Sequence, residues 1–254
     1  VFVTALSHQR ALGELPHDSE RLTLHGADSS LDALALRPDP SRDTGFWILH
    51  LHGNADTAFS QQQLEHVAAL RDLGFAVLAL DYRGFGRSPG VASEAHMDQD
   101  AETGYQALIA RGVAPERIIL WGHSLGSGPA VWLATRERAA ALVLFGVFTS
   151  IPDAAQDQYP YLPVHWLVGV QFDSRSLIAR VHMPVLIAHS VADRLIPYHH
   201  SLALFAAAHE PKRLLLLRGP SNDGLGGHAD ALYQHCEALA PALSALIGAP
   251  VRCP

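Results

Sequence analysis

The pentapeptide Gly122-His123-Ser124-Leu125-Gly126 sets a hydroxyl between two glycines. An apolar run, Arg117 to Gly122, leads into it, and the small residues Gly128 and Ala130 follow. A serine on a tight strand-to-helix turn is lifted clear of the sheet edge, and only very small flanks fit so crowded a turn. Gly122 and Gly126 supply those flanks, while Gly128 and Ala130 are expected to keep the next helix close to the sheet. That helix would also aim backbone N–H groups and its positive end at the hydroxyl. Such an arrangement suits nucleophilic attack on an acyl carbonyl.

A serine hydroxyl attacks poorly until a base takes its proton, and an imidazole serves best when a carboxylate fixes its tautomer. On a turn of this kind the acid and then the histidine follow later in the chain. PVLIAHSVADRLIP delivers Asp193 just beyond one apolar run, and LLLLRGPSNDGLGGHADAL delivers His228 beyond the last. There are 16 histidines, so position must decide among them. His235 is expected inside the final helix, and His199 and His200 are expected to open a helix and face solvent. Asp223 and Asp230 lie on the same loop and helix as His228, and Asp173 is the second choice of acid. The developing oxyanion needs two donors. Leu125 N–H is one, and Asn54 N–H, from the loop HLHGNADT, is the other. His50 and His52 share a strand face but lack a third ligand, so no metal is expected, and the chemistry calls for no cofactor.

These residues need a scaffold. Arg21 to Gly26 and Leu31 to Leu36 alternate like half-exposed antiparallel strands. Gly45 to Gly53, Phe75 to Asp81, Arg117 to Gly122, Ala141 to Gly146, Pro184 to Ser190 and Lys212 to Leu217 are short apolar runs, as in strands buried on both faces of a parallel sheet. Helical patterns fill the intervals. Ser60 to Gly74 places Leu64, Val67, Ala68 and Leu70 near one face; Ala92 to Gly112 has Ser93 as its N-cap; others begin at Ser124, His199 and Ala229. The expectation is an α/β fold: a mostly parallel sheet of about eight strands with helices on both faces, in a single domain over 1–254. Residues 151–182 break the rhythm. They read equally as a small cap over the site or as one crossover helix with a long loop. Phe148, Tyr159, Tyr161, Trp166 and Leu167 are the expected lining of an acyl pocket. In DYRGFGRSPG, Asp81 and Arg83 are expected to be tied to backbone or to each other rather than to an anionic substrate.

The formal net charge of −7 argues against a nucleic-acid partner, which would require a basic face. No apolar run reaches the roughly 18 residues of a membrane span, though peripheral membrane association stays compatible. The expected partner is a small-molecule or acylated substrate, and no motif speaks to oligomeric state. The chain opens on Val1, with Met97 and Met183 its only methionines, so an upstream start, a removed leader or a non-standard start codon is expected. The cytoplasm is the default compartment, with an export signal or anchor upstream as the alternative. Cys236 and Cys253 read as two isolated thiols, with a late disulfide as the alternative.

From about Glu20 to Ile247 the chain resembles α/β-hydrolase-fold serine hydrolases. The HGN loop, DYRGFGRSPG, GHSLGSG, Asp193 in SVADRLIP and His228 match in order. FTSIPD and YPYLPVHWLV are similar to the small-capped group that includes acyl-protein thioesterases and related bacterial hydrolases. The resemblance implies cleavage of carboxylic esters, thioesters or, less often, amides. One departure is GPSNDGLGGH, longer than the short glycine-rich approach to the histidine common in that group. A silent binding protein on the same fold is the alternative from another class. A peptidase or a cofactor-free perhydrolase is the alternative among enzymes. Serine at 124 disfavours an aspartate-nucleophile dehalogenase.

Overall fold

A computed structural model describes residues 2–9, 12–219, 223–229 and 231–254. Eight strands make one sheet: β1 (Ser19–His25), β2 (Ser30–Leu36), β3 (Trp47–Leu51), β4 (Ala76–Leu80), β5 (Ile118–His123), β6 (Ala141–Phe145), β7 (Val185–Ser190) and β8 (Lys212–Leu217). Their spatial order is β1-β2-β4-β3-β5-β6-β7-β8. β2 runs antiparallel to β1 and β4, and all other pairings are parallel. The apolar runs are buried along their whole length in β3 to β7, because helices cover both faces. β8 departs from that expectation. It is the edge strand, and only Leu217 is fully buried.

The two faces follow the strand period of two. Leu49, Leu51, Leu120, Leu142 and Leu144 join the core under α3 (Glu94–Ala110), α4 (Ser127–Ala134) and α8 (His199–Ala207). Ile48, Ile119, Trp121, Val143 and Phe145 join the core under α2 (Gln61–Asp72), α9 (Ala231–Gln234) and α10 (Cys236–Ile247). α1 (Thr4–Gln9) precedes the sheet. The expected Ser93 cap forms, accepting the His96 N–H at 3.1 Å, and Ser60 also caps its helix, accepting the Gln63 N–H at 3.2 Å. His235 lies between α9 and α10 rather than within a helix.

Residues 151–182 hold three short helices, not one crossover helix: α5 (Ile151–Gln158), α6 (Val164–Leu167) and α7 (Ser174–Ile178). Pro160 and Pro163 interrupt the first two, since proline cannot donate to the preceding turn. The Glu94 carboxylate at the start of α3 accepts the N–H groups of Gln171 and Phe172, both at 2.8 Å, and holds the far end of the segment. The reading of Cys236 and Cys253 as isolated thiols is overturned, because they form a disulfide with Cα atoms 5.8 Å apart. Among the described residues no helix is long and apolar enough to cross a membrane.

β4 and β5 flank β3 on opposite sides, so the chain leaves β3 one way and returns on the other. A crevice opens at the carboxyl ends of strands where such a reversal occurs. The segments carrying Asn54, Ser124, Phe148 and Asp193 follow β3, β5, β6 and β7, and the loop carrying His228 follows β8.

Candidate active site

Ser124 opens a single 3-10 turn between β5 and α4, with φ +49°. Left-handed backbone costs a non-glycine residue about 1 kcal/mol or more, so its surroundings must impose it. The flanking glycines show how. A Cβ on Gly126 would stand 2.1 Å from Leu51 O and 2.6 Å from His52 O. One on Gly122 would stand 2.7 Å from the Ala130 Cβ and from the Ser127 Cα. The turn is thus pressed against β3 on one side and α4 on the other. Gly128 plays a different part from the one expected: its absent side chain makes room for the Phe172 ring, not for the sheet.

The structure brings Ser124, His228 and Asp193 together. His228 Nδ1 lies 2.7 Å from Asp193 Oδ2, and His228 Nε2 lies 2.8 Å from Ser124 Oγ. A carboxylate oxygen only accepts, so Nδ1 carries the proton and Nε2 is left to receive the serine hydroxyl. Burial alone would push the Asp193 carboxyl up. Bonds from His189 and His228, with backbone N–H donors, outweigh it and hold that carboxyl well below the usual range. Asp173, the second choice of acid, instead caps α7 by accepting the Ser176 N–H.

The long approach to His228 is laced from inside, a feature the sequence reading missed. Asp223 accepts the N–H groups of Leu225, Gly227 and Ala229 at 2.8, 3.0 and 2.7 Å. Ser190 Oγ donates to Gly226 O at 2.6 Å, and Arg194 N donates to Leu225 O at 2.9 Å. His123, beside the serine, reaches the His228 carbonyl through Nε2 at 2.9 Å. Residues 220–222 and Asp230 lie outside the described residues.

Asn54 and Leu125 both border a cavity of about 240 Å³ above Ser124. The Asn54 loop is held by His52, which the sequence reading weighed only as a metal ligand, and by Asp81, which is tied to backbone as expected. His52 Nδ1 donates to Gly53 O at 2.8 Å, and its Nε2 lies 3.2 Å from Asp81 Oδ1. Asp81 also accepts the Ala58 N–H at 2.7 Å and the Thr57 hydroxyl at 2.6 Å. Asp81 and Arg83 are not tied to each other: Arg83 is buried against Asp100, with Nε–Oδ1 at 2.7 Å. His50 faces Tyr233 OH at 3.4 Å, so it and His52 have separate partners.

The cavity walls are mostly apolar, from Phe148, Ile151, Ala154, Val168, Leu195 and Ile196, with Tyr159 at the rim. Tyr161, Trp166 and Leu167 are corrected: they are 97%, 92% and 68% exposed and do not border it. α6 is a four-residue turn that buries only Val164 and leaves Trp166 and Leu167 exposed. His200 is a second correction, because it is buried rather than facing solvent. Its Nδ1 accepts the Thr149 N–H at 3.2 Å, and its Nε2 donates to Asp157 Oδ2 at 2.9 Å. His199 Nε2 lies 3.1 Å from the same oxygen. Asp157, His199 and His200 are close enough to be considered as metal ligands among the described residues. The two rings stack 4.4 Å apart, and both Nε2 atoms converge on Asp157 Oδ2. The trio works as a clasp of α8 on α5.

A family model described as serine aminopeptidase, S33, matches residues 46–171. An uncharacterized protein of Mycobacterium tuberculosis is 39% identical over 183 residues, which are 72% of this chain and 64% of that protein. Lysophosphatidylserine lipase ABHD12 of Danio rerio is 35% identical over 185 residues, 66% of this chain and 48% of the lipase. The chain thus spans less than two thirds of the length of these curated relatives. Among solved structures, an alpha-beta hydrolase from Vibrio vulnificus superposes with a TM-score of 0.74 at 20% identity, covering 95% of this chain and 89% of the other. Est1E from Butyrivibrio proteoclasticus, solved with ferulic acid bound, gives a TM-score of 0.72 at 17% identity, covering 89% and 99%.

Proposed function

Because the chain belongs to the α/β-hydrolase superfamily, we propose that it is a serine hydrolase that cleaves carboxylic esters or thioesters through an acyl-enzyme on Ser124. The observation that carries this reading is the chain of two bonds, Ser124 Oγ to His228 Nε2 at 2.8 Å and His228 Nδ1 to Asp193 Oδ2 at 2.7 Å. His228 takes the serine proton as Oγ attacks the acyl carbon, and Asp193 stabilises the imidazolium that forms. Backbone N–H groups of Leu125 and Asn54 receive the oxyanion, each contributing about 3 kcal/mol in comparable sites. His228 then protonates the leaving group, and water, activated by the same base, releases the acid. In this reading residues 1–254 form one domain, with about 151–182 as its small cap.

Esters are favoured over peptides by the cavity lining. Its described polar members are Asn54, Ser124, Gln158 and Tyr159, and among the described residues no carboxylate borders it to receive a peptide amino terminus. The lipase among the relatives supports an apolar acyl group. A volume of about 240 Å³ suits a short or medium chain. The HGN loop keeps the small-capped thioesterase-like group as the nearest subgroup in this reading.

A labelled fluorophosphonate tests it. The adduct should form on Ser124, and Ser124→Ala should lose both adduct and turnover of p-nitrophenyl esters, by about 10⁶ as in comparable triads. A folded protein that forms no adduct and turns over no ester, or that cleaves peptide amides faster than esters, overturns the reading.

A further inference from the structure

Asp193 Oδ2 is shared. It receives His228 at 2.7 Å, and His189 Nε2 lies 3.1 Å from the same atom. His189 ends β7 one residue before its last position and is fully buried. Its Nε2 also lies 2.8 Å from Ile196 O. Both neighbours of Nε2 accept only, so Nε2 must carry a proton; a bare lone pair there would face two oxygens. On the other side of the ring, Nδ1 lies 2.6 Å from Ser201 Oγ of α8, which locks its orientation. The other carboxylate oxygen, Oδ1, accepts the N–H groups of Leu195 and Ile196 at 2.8 and 2.9 Å. Four donors therefore fix the acid, and one is a second imidazole that never touches the serine.

We propose that His189 is a positioning residue of the hydrolysis: by donating to the oxygen that holds His228, it limits the charge that oxygen offers the base. The proposal rests on Asp193 being the acid of the reaction. A carboxylate oxygen that accepts a second hydrogen bond is less able to stabilise a neighbouring imidazolium. His189 thus draws part of that oxygen's charge away from His228, leaving less to hold the imidazolium that forms when His228 takes the serine proton. Asp223 accepts the Gly227 and Ala229 N–H groups on either side of His228. Asp193 meets His189 from β7 and His228 from the loop after β8, and α8 contributes the neutral Ser201. His123 of β5 lies beyond His228, its ring centroid 5.5 Å away, and feels Asp56. Arg194, next along the chain, is exposed.

Two substitutions separate the halves of the His189 ring. In His189→Gln the amide nitrogen reaches the place of Nε2 and can still donate to Asp193. In His189→Asn the shorter amide matches Nδ1, keeps the Ser201 contact and withdraws from Asp193. The pH dependence of kcat/KM for a p-nitrophenyl butyrate ester, and of fluorophosphonate labelling at Ser124, reads the result. His189→Asn should move the acidic limb to higher pH by about half a unit or more, with KM little changed; His189→Gln should restore the original limb. A limb that stays in place in His189→Asn, while Ser124 still labels, overturns the proposal and leaves the hydrolase reading standing. Wild-type protein that does not label, or Asp193→Asn that keeps full turnover, would sink the hydrolase reading itself.

Discussion

At the scale of single residues, the buried histidines tie stability to pH. His66 stacks on Tyr233 with ring centroids 4.0 Å apart, and its buried Nδ1 has no hydrogen-bond partner among the described residues. Burial, with His123 nearby, pulls its pKa down to about 3. An unfolded imidazole titrates near 6.5. Below that pH the unfolded chain takes up a proton that the folded chain refuses, so this part of the stability is lost as pH falls. His66→Phe keeps the stack and removes the site. Its stability advantage in urea unfolding should therefore grow by about 2 kcal/mol between pH 7.5 and 5; an advantage that does not change with pH would count against a neutral buried imidazole. The residues proposed to react were legible because such chemistry constrains chain order as well as type: Ser124, Asp193 and His228 each follow a strand. His189, His52 and Asp223 were not. They act on a neighbour's atoms across the fold, and nothing in a local stretch distinguishes a histidine that grips a carboxylate from one that fills a core.

At the scale of elements, the turn at Ser124 is fixed by contact on both sides, and Gly126 is its tightest point. In Gly126→Ala the new methyl would overlap the carbonyls of Leu51 and His52, so β3 and the turn must part. We expect a loss of about 1–3 kcal/mol in stability. Fluorophosphonate labelling should also slow by 10² or more, since about 1 Å of misplacement has that effect. Normal labelling in a destabilised Gly126→Ala would show that the serine does not depend on this contact. Strands and long helices were readable because burial imposes a period on them, and Ser60 and Ser93 mark two helix starts. α5 to α7 were not, because four to eight residues give no period to read. Their placement depends on the Glu94 carboxylate and on the Asp157 clasp to α8, both remote in sequence. The aromatic run 159–167 therefore promised a pocket lining and delivered mostly an outer surface.

At the scale of the whole molecule, the disulfide closes the last part of the chain on itself across 17 residues. Arg42 Nη2 donates to the carbonyls of Arg252 and Cys253 at 3.1 and 3.0 Å and joins that end to the loop before β3. A closed loop of this size is worth about 3 kcal/mol. Reductant, or Cys236→Ser, should lower the melting temperature by about 6 to 12 °C; an unchanged melting temperature would mean the bond adds nothing to the fold. The pairing was illegible in the sequence because a disulfide needs Cα atoms within reach, and separation along the chain does not reveal that.

The strand order also governs how the protein can be made. β1 and β2 alone form a local hairpin, and every parallel pairing waits for a crossover. During synthesis from the amino end, β3 can pair with β4 early, but its other edge stays open until β5 has left the ribosome. Ser124 then has no base for another hundred or so residues, until His228 emerges. In the reading proposed above, the nascent chain carries an inert hydroxyl, and reactivity arrives only once His228 has emerged.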